Sequence, residues 1–456
     1  MLSACHNFKT LPEGLAYAGK PQAANQVQFF ADQTWVDNDG HRHVQQEVFD
    51  EVFELIGQAQ RFILLDMFLY NDFQGPVAEQ TRALSQELTQ ALVAQKQRYP
   101  ALELIVITDP INNVYGGLPS TQLQQLRDAG IQVVITDLEQ LKDSNAVYSF
   151  FWRLFIKPFG TSSANTLPSP FGGGRVSIRS DLRLLNFKAN HRKILIADSP
   201  KGYVGLVTSA NPHDGSSAHR NVAVKFSGAA VVDLLNTEKT VLALSGASAP
   251  AVTLTSIAES ARTSVQVLTE RKIKHAVLQT IDTVARGDRL DLMMFYLADR
   301  DIVKALKRAH QRGVAQRILL DPNKDAFGRK KNGIPNRPVA HELHKVGIPI
   351  KWCDTHGEQC HAKMLISHRS NGASTMITGS ANFTRRNLEN YNLETDVLVT
   401  GVTETPALKD AQAYFDLMWH NSATKNMSVD YAAYADKSLF KRWLYRFMEA
   451  SGVSTF

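Results

Sequence analysis

Three cysteines in 456 residues are too few to staple a fold, so the chain must be held by packed apolar cores. At this length it can build two. No run of about eighteen apolar residues occurs, which excludes a hydrophobic transmembrane helix in the sequence as it stands. Neither sign of charge dominates: 50 Lys and Arg against 44 Asp and Glu leave +6, with a pI near 9.0. That mild excess suits a phosphate-rich partner without choosing between lipid and nucleic acid. Metal-ligand spacing is also missing. Cys353, His356 and Cys360 come nearest, and their spacing matches no familiar zinc motif, so no metal or other cofactor is expected. Cys353 and Cys360 read as reduced core residues in a reducing compartment or as a short-loop disulfide in an oxidising one.

What the chain does have is a duplication. His191-Arg-Lys193-Ile-Leu-Ile, a polar turn and Thr208-Ser209-Ala-Asn211 are matched by His361-Ala-Lys363-Met-Leu-Ile, a polar turn and Gly379-Ser380-Ala-Asn382. Residues two apart on a strand point the same way, so each copy places an imidazole and an ammonium on one face. Each then returns with a hydroxyl and an amide. Two such half-sites brought face to face would surround one phosphodiester. Displacement at phosphorus needs a nucleophile, a proton donor for the leaving alkoxide, and fixed donors around the non-bridging oxygens. His191 and His361 suit the first two roles, because imidazole titrates near neutrality. Lys193 and Lys363, with Ser209, Asn211, Ser380 and Asn382, suit the third.

These residues resemble the HKD motif of the phospholipase D superfamily, whose pattern is His-x-Lys, an Asp five residues after the lysine, then Gly-Ser-x-Asn. The first copy matches at His191, Lys193, Asp198, Ser209 and Asn211, and the second at His361, Lys363, Gly379, Ser380 and Asn382, followed by Asn392-Leu-Glu394. Within the superfamily the wording Asn190-His-Arg-Lys193 is most similar to bacterial cardiolipin synthases. Three departures stand out. His368 occupies the second aspartate position, Thr208 replaces the glycine, and counting from the serine puts Ala223 opposite Glu394. The resemblance implies that Asp198, and with it position 368, braces the fold. It leaves the catalytic order open: Glu394 polarising His361 would favour that half as nucleophile, whereas the family precedent gives the role to the first copy.

The duplication reaches outward. Helical spacing over Phe49–Ala59, an apolar strand over 61–69, a polar helix-like stretch, a strand over 102–108 ending in Asp109-Pro110, a helix over 120–130 and a strand over 132–135 recur as 277–285, 290–296, 303–312, 317–321 ending in Asp321-Pro322, 339–346 and 348–352. Alternating strands and helices predict an α/β fold of two homologous lobes. Each would be a mostly parallel sheet flanked by helices, with the active site at their interface. The expected divisions are an N-terminal segment 1–25, a first lobe 26–245, a linker 246–255, a second lobe 256–430 and a C-terminal aromatic and basic helix 431–456. An irregular stretch over 161–175 reads as a lid or as a disordered loop.

Leu2-Ser-Ala-Cys5 resembles a bacterial lipobox without the charged and apolar regions that should precede it. Lipidation at Cys5 would tether the protein in the cell envelope; the alternatives are peripheral membrane attachment and a cytoplasmic protein. Tyr148–Phe159 and Leu439–Met448 mix aromatic, aliphatic and basic residues. Such segments suit a bilayer interface, a core helix that turns its basic residues to water, or a stacking groove for single-stranded nucleic acid. The expected activity is phosphatidyl transfer through a phosphohistidine, of the cardiolipin synthase type with phosphatidylglycerol as the favoured substrate. The alternatives are a phospholipase D hydrolase, a metal-independent nuclease, and an inactive phospholipid- or nucleic-acid-binding relic.

Overall fold

The computed structural model describes residues 11–456 apart from 25, 76, 79–80, 162–164, 172–173, 250–261, 327–328 and 455. Cys5 with its lipobox, and residues 250–255 of the expected linker, lie outside the described residues. The first half contains β1 (Gln22–Ala23), β2 (Gln28–Ala31), α1 (Val48–Gln58), β3 (Phe62–Met67), α2 (Leu84–Arg98), β4 (Glu103–Thr108), α3 (Thr121–Asp128), β5 (Gln132–Ile135), α4 (Ala146–Phe155) and α5 (Ile178–Leu184). A hairpin of β6 (Lys193–Ser199) and β7 (Gly202–Thr208), then β8 (Val222–Ser227) and α6 (Ala229–Leu244), complete it. The second half opens with β9 (Ser264–Thr269), α7 (Arg271–Thr283), β10 (Arg289–Met294), α8 (Arg300–Gln311), β11 (Ala315–Leu320), α9 (Asn336–His344) and β12 (Ile350–Cys353). The corresponding hairpin is β13 (Lys363–His368) and β14 (Ala373–Gly379), and α10 (Arg385–Leu388), β15 (Thr395–Val402), α11 (Pro406–His420), β16 (Ser428–Asp430) and α12 (Leu439–Ser451) follow.

The seven-stranded sheet runs β2-β8-β7-β6-β3-β4-β5 and the nine-stranded sheet β1-β9-β15-β14-β13-β10-β11-β12-β16. Stripped of their edges, both have one order, so the duplication is structural. The α/β class stands, with a more mixed pairing than the alternation implies. Strands joined through helices, β3-β4-β5 and β10-β11-β12, pair in parallel, while the motif hairpins and their neighbours pair antiparallel. Parallel neighbours need a crossover, and the motif strands are joined by tight turns that provide none.

Strand alternation divides the cores. On β6, Ile194 and Ile196 enter a central core shared with Met364 and Ile366 of β13, while Leu195 and Ala197 face an outer core built from α1, α2 and α3. On β13, Leu365 faces the other outer core, lined by α7, α8 and α9. The two sheets therefore pack face to face, each covered outside by helices, and the ends of their central strands meet. In α1 the spacing of Val48, Val52, Leu55 and Ile56 places four apolar residues on the buried side. Asp32 accepts from the N–H groups of Glu47 and Val48 at its start.

Two features bear on the sequence expectations. Cys353 and Cys360 form a disulfide that ties β12 to the segment entering His361. The aromatic segments are not core helices with only their basic residues in water: Phe151, Phe155 and Phe159, and Leu439, Phe440, Trp443 and Phe447, are exposed, whereas Trp152 and Tyr445 face inward. The sheets and helices already fill the interior, so these faces find no partner among the described residues. Gly452, with φ +78, ends α12 where any Cβ would run into the carbonyl of Ser144, so the two aromatic helices adjoin. No helix among the described residues is long and apolar enough to cross a membrane.

Candidate active site

Each motif histidine lies just before a central strand, and the other lobe fixes its backbone. His191 N–H donates to Leu393 O at 2.8 Å and Leu393 N–H to Ala189 O at 3.0 Å; His361 N–H donates to Arg220 O at 2.9 Å and Arg220 N–H to Gln359 O at 3.0 Å. The Asp-Pro pairs ending β4 and β11 contribute equally. Asp109 accepts from Asn190 N–H at 2.7 Å and Asp321 from Cys360 N–H at 2.8 Å. Burial raises these two carboxyls to about 7 and about 6.

The imidazoles are held differently. His191 Nδ1–H donates to Glu394 Oε2 at 2.9 Å, across the lobe interface, and not as expected from His361. His361 Nδ1–H donates to Asn221 Oδ1 at 3.0 Å, and Asn221 Nδ2 donates to His219 O, which fixes the amide's orientation. The residue opposite Glu394 is thus Asn221. Twelve positions separate Ser209 from Asn221 and fourteen separate Ser380 from Glu394, so counting from the serine lands two residues late, on Ala223. The strand contacts establish the equivalence: Ser209 Oγ accepts from Val222 N–H as Ser380 Oγ accepts from Thr395 N–H, and each hydroxyl donates to the next acceptor, Asn221 Oδ1 or Glu394 Oε2.

The same register explains Thr208. It pairs with Ala223 as Gly379 pairs with Asp396. A Cβ on Gly379 would lie 2.5 Å from the Asp396 carboxylate and against the backbone carbonyl of Thr395, so glycine is required there. Thr208 Oγ1 accepts from Ala210 N–H at 3.0 Å, the bond that Asp396 accepts from Ala381 in the second copy.

Lys193 and Lys363 are buried, and each donates to the carbonyl of its own histidine, at 2.7 and 2.6 Å. Phe68 and Phe295, each just past the end of a central strand, flank the pairs: their rings lie 4.7 Å from His191 and 4.9 Å from His361, and 5.0 and 5.3 Å from the ammonium groups. Asn211 Oδ1 accepts from Leu69 N–H, while Asn382 Oδ1 is buried with no partner among the described residues. Burial, opposed by Glu394, lowers His191 to about 4 and Lys193 to about 7. It also takes His361 and Lys363 well below their usual values, with neighbouring cations adding to the effect. His219, its ring 5.9 Å from that of His361, joins the buried cluster. Such a site lacks the negative charge that a phosphodiester brings.

Asp198 accepts from the N–H groups of Gln60, Arg61 and Phe62 at the start of β3. His368 stands instead between Ser374 Oγ, at 3.0 Å, and Asp291, at 3.6 Å. Asp288, just before β10, accepts from Ala285 and Ser370 N–H and so ties this hairpin to the β10 side. Asp299, Asp301 and Glu389 cluster as metal ligands do, but the Lys274 ammonium lies among them at 2.8–2.9 Å. Sequence reading missed Asn221, Phe68 and Phe295 as site residues. It noted Asp109 and Asp321 only as strand ends, although their duplication was the available signal.

Residues 277–419 match the family model for the cardiolipin synthase, PLD-like domain. No curated protein matches the chain. Among solved structures, phosphatidylserine synthase of Haemophilus influenzae Rd KW20 aligns over 94% of this chain and 94% of its own, with TM-score 0.60 and 12% identity. Polyphosphate kinase from Porphyromonas gingivalis aligns over 94% of this chain and 53% of its own, with TM-score 0.49 and 14% identity. A phospholipase D family member from Salmonella typhimurium aligns over 36% and 99%, with TM-score 0.29 and 25% identity. Two pseudo-symmetric α/β lobes, the second matching this domain, define an enzyme of phosphodiester chemistry. Its second lobe belongs with the phospholipase D-like domains, and the whole chain shares the two-lobed fold of the phosphatidylserine synthase.

Proposed function

We propose that this enzyme transfers phosphatidyl groups through a phosphohistidine on His191, in the manner of a cardiolipin synthase. The crosswise pairing carries the reading: one imidazole rests on a carboxylate, the other on an amide. Glu394 polarises Nδ1–H of His191, which strengthens Nε2 as a nucleophile and stabilises the cation formed when it bonds to phosphorus. His361 has no such anion, so its protonated form gives up the proton more readily, as a general acid must. His191 Nε2 attacks the phosphorus of phosphatidylglycerol, the bond to the glycerol oxygen breaks, and His361 protonates that oxygen. The headgroup hydroxyl of a second phosphatidylglycerol then yields its proton to His361 and attacks phosphorus, which breaks the N–P bond. Cardiolipin and one free glycerol result. Lys193, Lys363, Asn211 and Asn382 hold the non-bridging oxygens, and Ser209 and Ser380 position Asn221 and Glu394.

A phospholipid substrate is supported by the family model of the second lobe and by exposed aromatic faces on α4 and α12. The test is incubation with labelled phosphatidylglycerol vesicles beside labelled single- and double-stranded DNA, with the His191→Ala protein as control. Cardiolipin and glycerol are expected; phosphatidic acid would make it a hydrolase, and cut DNA with untouched lipid a nuclease. With an activated aryl phosphodiester, whose leaving group needs no proton, the His361→Ala protein should still acquire acid-labile label on His191. Label on His361 in the His191→Ala protein would reverse the roles.

A further inference from the structure

Beneath α4 lies a half-open cavity lined by Tyr115, Trp152, Arg153, Lys157, Arg183 and Lys188, among others. Its space of about 40 Å³ holds roughly three waters at 10–15 Å³ each, about the bulk of one phosphate group. Four of its side chains are cationic. Two carboxylates answer them: Asp143 takes Arg153 at 2.6 Å and Lys188 at 2.9 Å, and Glu139 takes Lys157 at 2.5 Å. Arg183 comes no closer to Glu139 than 4.0 Å, and its guanidinium makes no hydrogen bond among the described residues. Trp152 supplies an independent sign. It is 8% exposed, and its indole N–H has no acceptor among the described residues. A buried donor left unpaired is destabilising unless a ligand accepts from it. None of these residues belongs to the two histidine half-sites.

We propose that this cavity binds a phosphate group, with Arg183 and the Trp152 indole N–H as its principal donors and Lys188 and Arg153 supplying charge. The opposite side of the same helix exposes Val147, Phe151, Leu154 and Phe155, with Phe159 just beyond, so the phosphate of an anionic phospholipid would enter the cavity while its acyl chains lie along these rings. Free inorganic phosphate has the same recognition chemistry. The site does not depend on the transfer reaction.

The experiment uses full-length protein carrying His191→Ala and His361→Ala, with ¹⁵N-indole-labelled tryptophan. The Trp152 signal, assigned by Trp152→Phe, is followed during titration with inorganic phosphate and, separately, with short-chain phosphatidylglycerol below its micelle concentration. A saturable shift of that signal is expected, with affinity weakened about tenfold by Arg183→Gln. Unmoved signals from Trp35, Trp352, Trp419 and Trp443 verify that the variant is folded. A response to the lipid alone assigns the site to a headgroup, and a response to both assigns it to phosphate as such. A Trp152 signal unmoved by either ligand, or a shift that Arg183→Gln leaves intact, overturns the proposal.

Discussion

At the residue scale the two half-sites have the same skeleton and different acids. Glu394 is pinned by His191, Ser380 and Asn387, and Asn221 takes its place behind His361. Replacing Glu394 with Gln keeps the shape and removes the charge, so turnover should fall by roughly 10²–10⁴. Asn221→Ala removes the neutral acceptor behind His361 and should cost about tenfold. Single-turnover rates decide: a larger loss in Asn221→Ala would place the nucleophile in the second lobe. Proton balance makes a second prediction. Burial holds Lys193 near 7 in the free enzyme, and a bound phosphodiester restores its higher value, so at pH 8 binding must take up a proton. Affinity then falls as pH rises above 7. Calorimetry of a non-hydrolysable phosphodiester in buffers of different ionisation enthalpy should show that uptake at pH 8. No uptake at pH 8 would mean that Lys193 is already charged.

Within the elements, the departures from the family pattern come with partners that compensate. Thr208 lies opposite Ala223, whereas Gly379 lies against the Thr395 carbonyl and the Asp396 carboxylate. His368 is tolerated because Asp288 holds the hairpin from the other side. His368→Asp would set a carboxylate beside Asp291, whose charge Arg289 and Arg317 already offset. We expect kcat/KM within about twofold of the parent and about 1 kcal/mol of lost stability, a drop of a few degrees in Tm. A large gain in activity would show that position 368 bears on catalysis. The strands and helices were legible because their apolar period was clear: the expected 132–135 strand is β5 itself. The pairing of the hairpins was not, since strand direction depends on connections that periodicity does not encode.

On the scale of the whole molecule, the lobes are locked together. Arg192, fully buried, joins Glu238 of the first half to Glu270 of the second, and Arg220 reaches Glu358. Breaking such a pair by removing one partner costs about 3–5 kcal/mol, so the site is assembled only when the lobes are. Phe440, Trp443 and Phe447 form a stacked, exposed row on α12, whose C-terminal end meets the segment before α4. If this face meets a bilayer, Trp443→Ser with Phe447→Ser should weaken sedimentation with phosphatidylglycerol vesicles about tenfold or more. Turnover of a soluble short-chain substrate should be unaltered. Equal vesicle binding by the variant would remove the face from membrane attachment.

The sequence by itself determined the duplicated α/β plan and which imidazoles and ammoniums repeat, because both are written in local order: apolar periodicity, and side chains two apart on a strand. Only the tertiary structure decided which acid serves which histidine. Glu394 lies 203 positions from His191, and the unequal turns after Ser209 and Ser380 hid Asn221 from any comparison by counting. The outward turn of the aromatic helices was decided there too. An amphipathic pattern states that a helix has two faces; packing of the remaining chain determines which of them is left in contact with solvent or membrane.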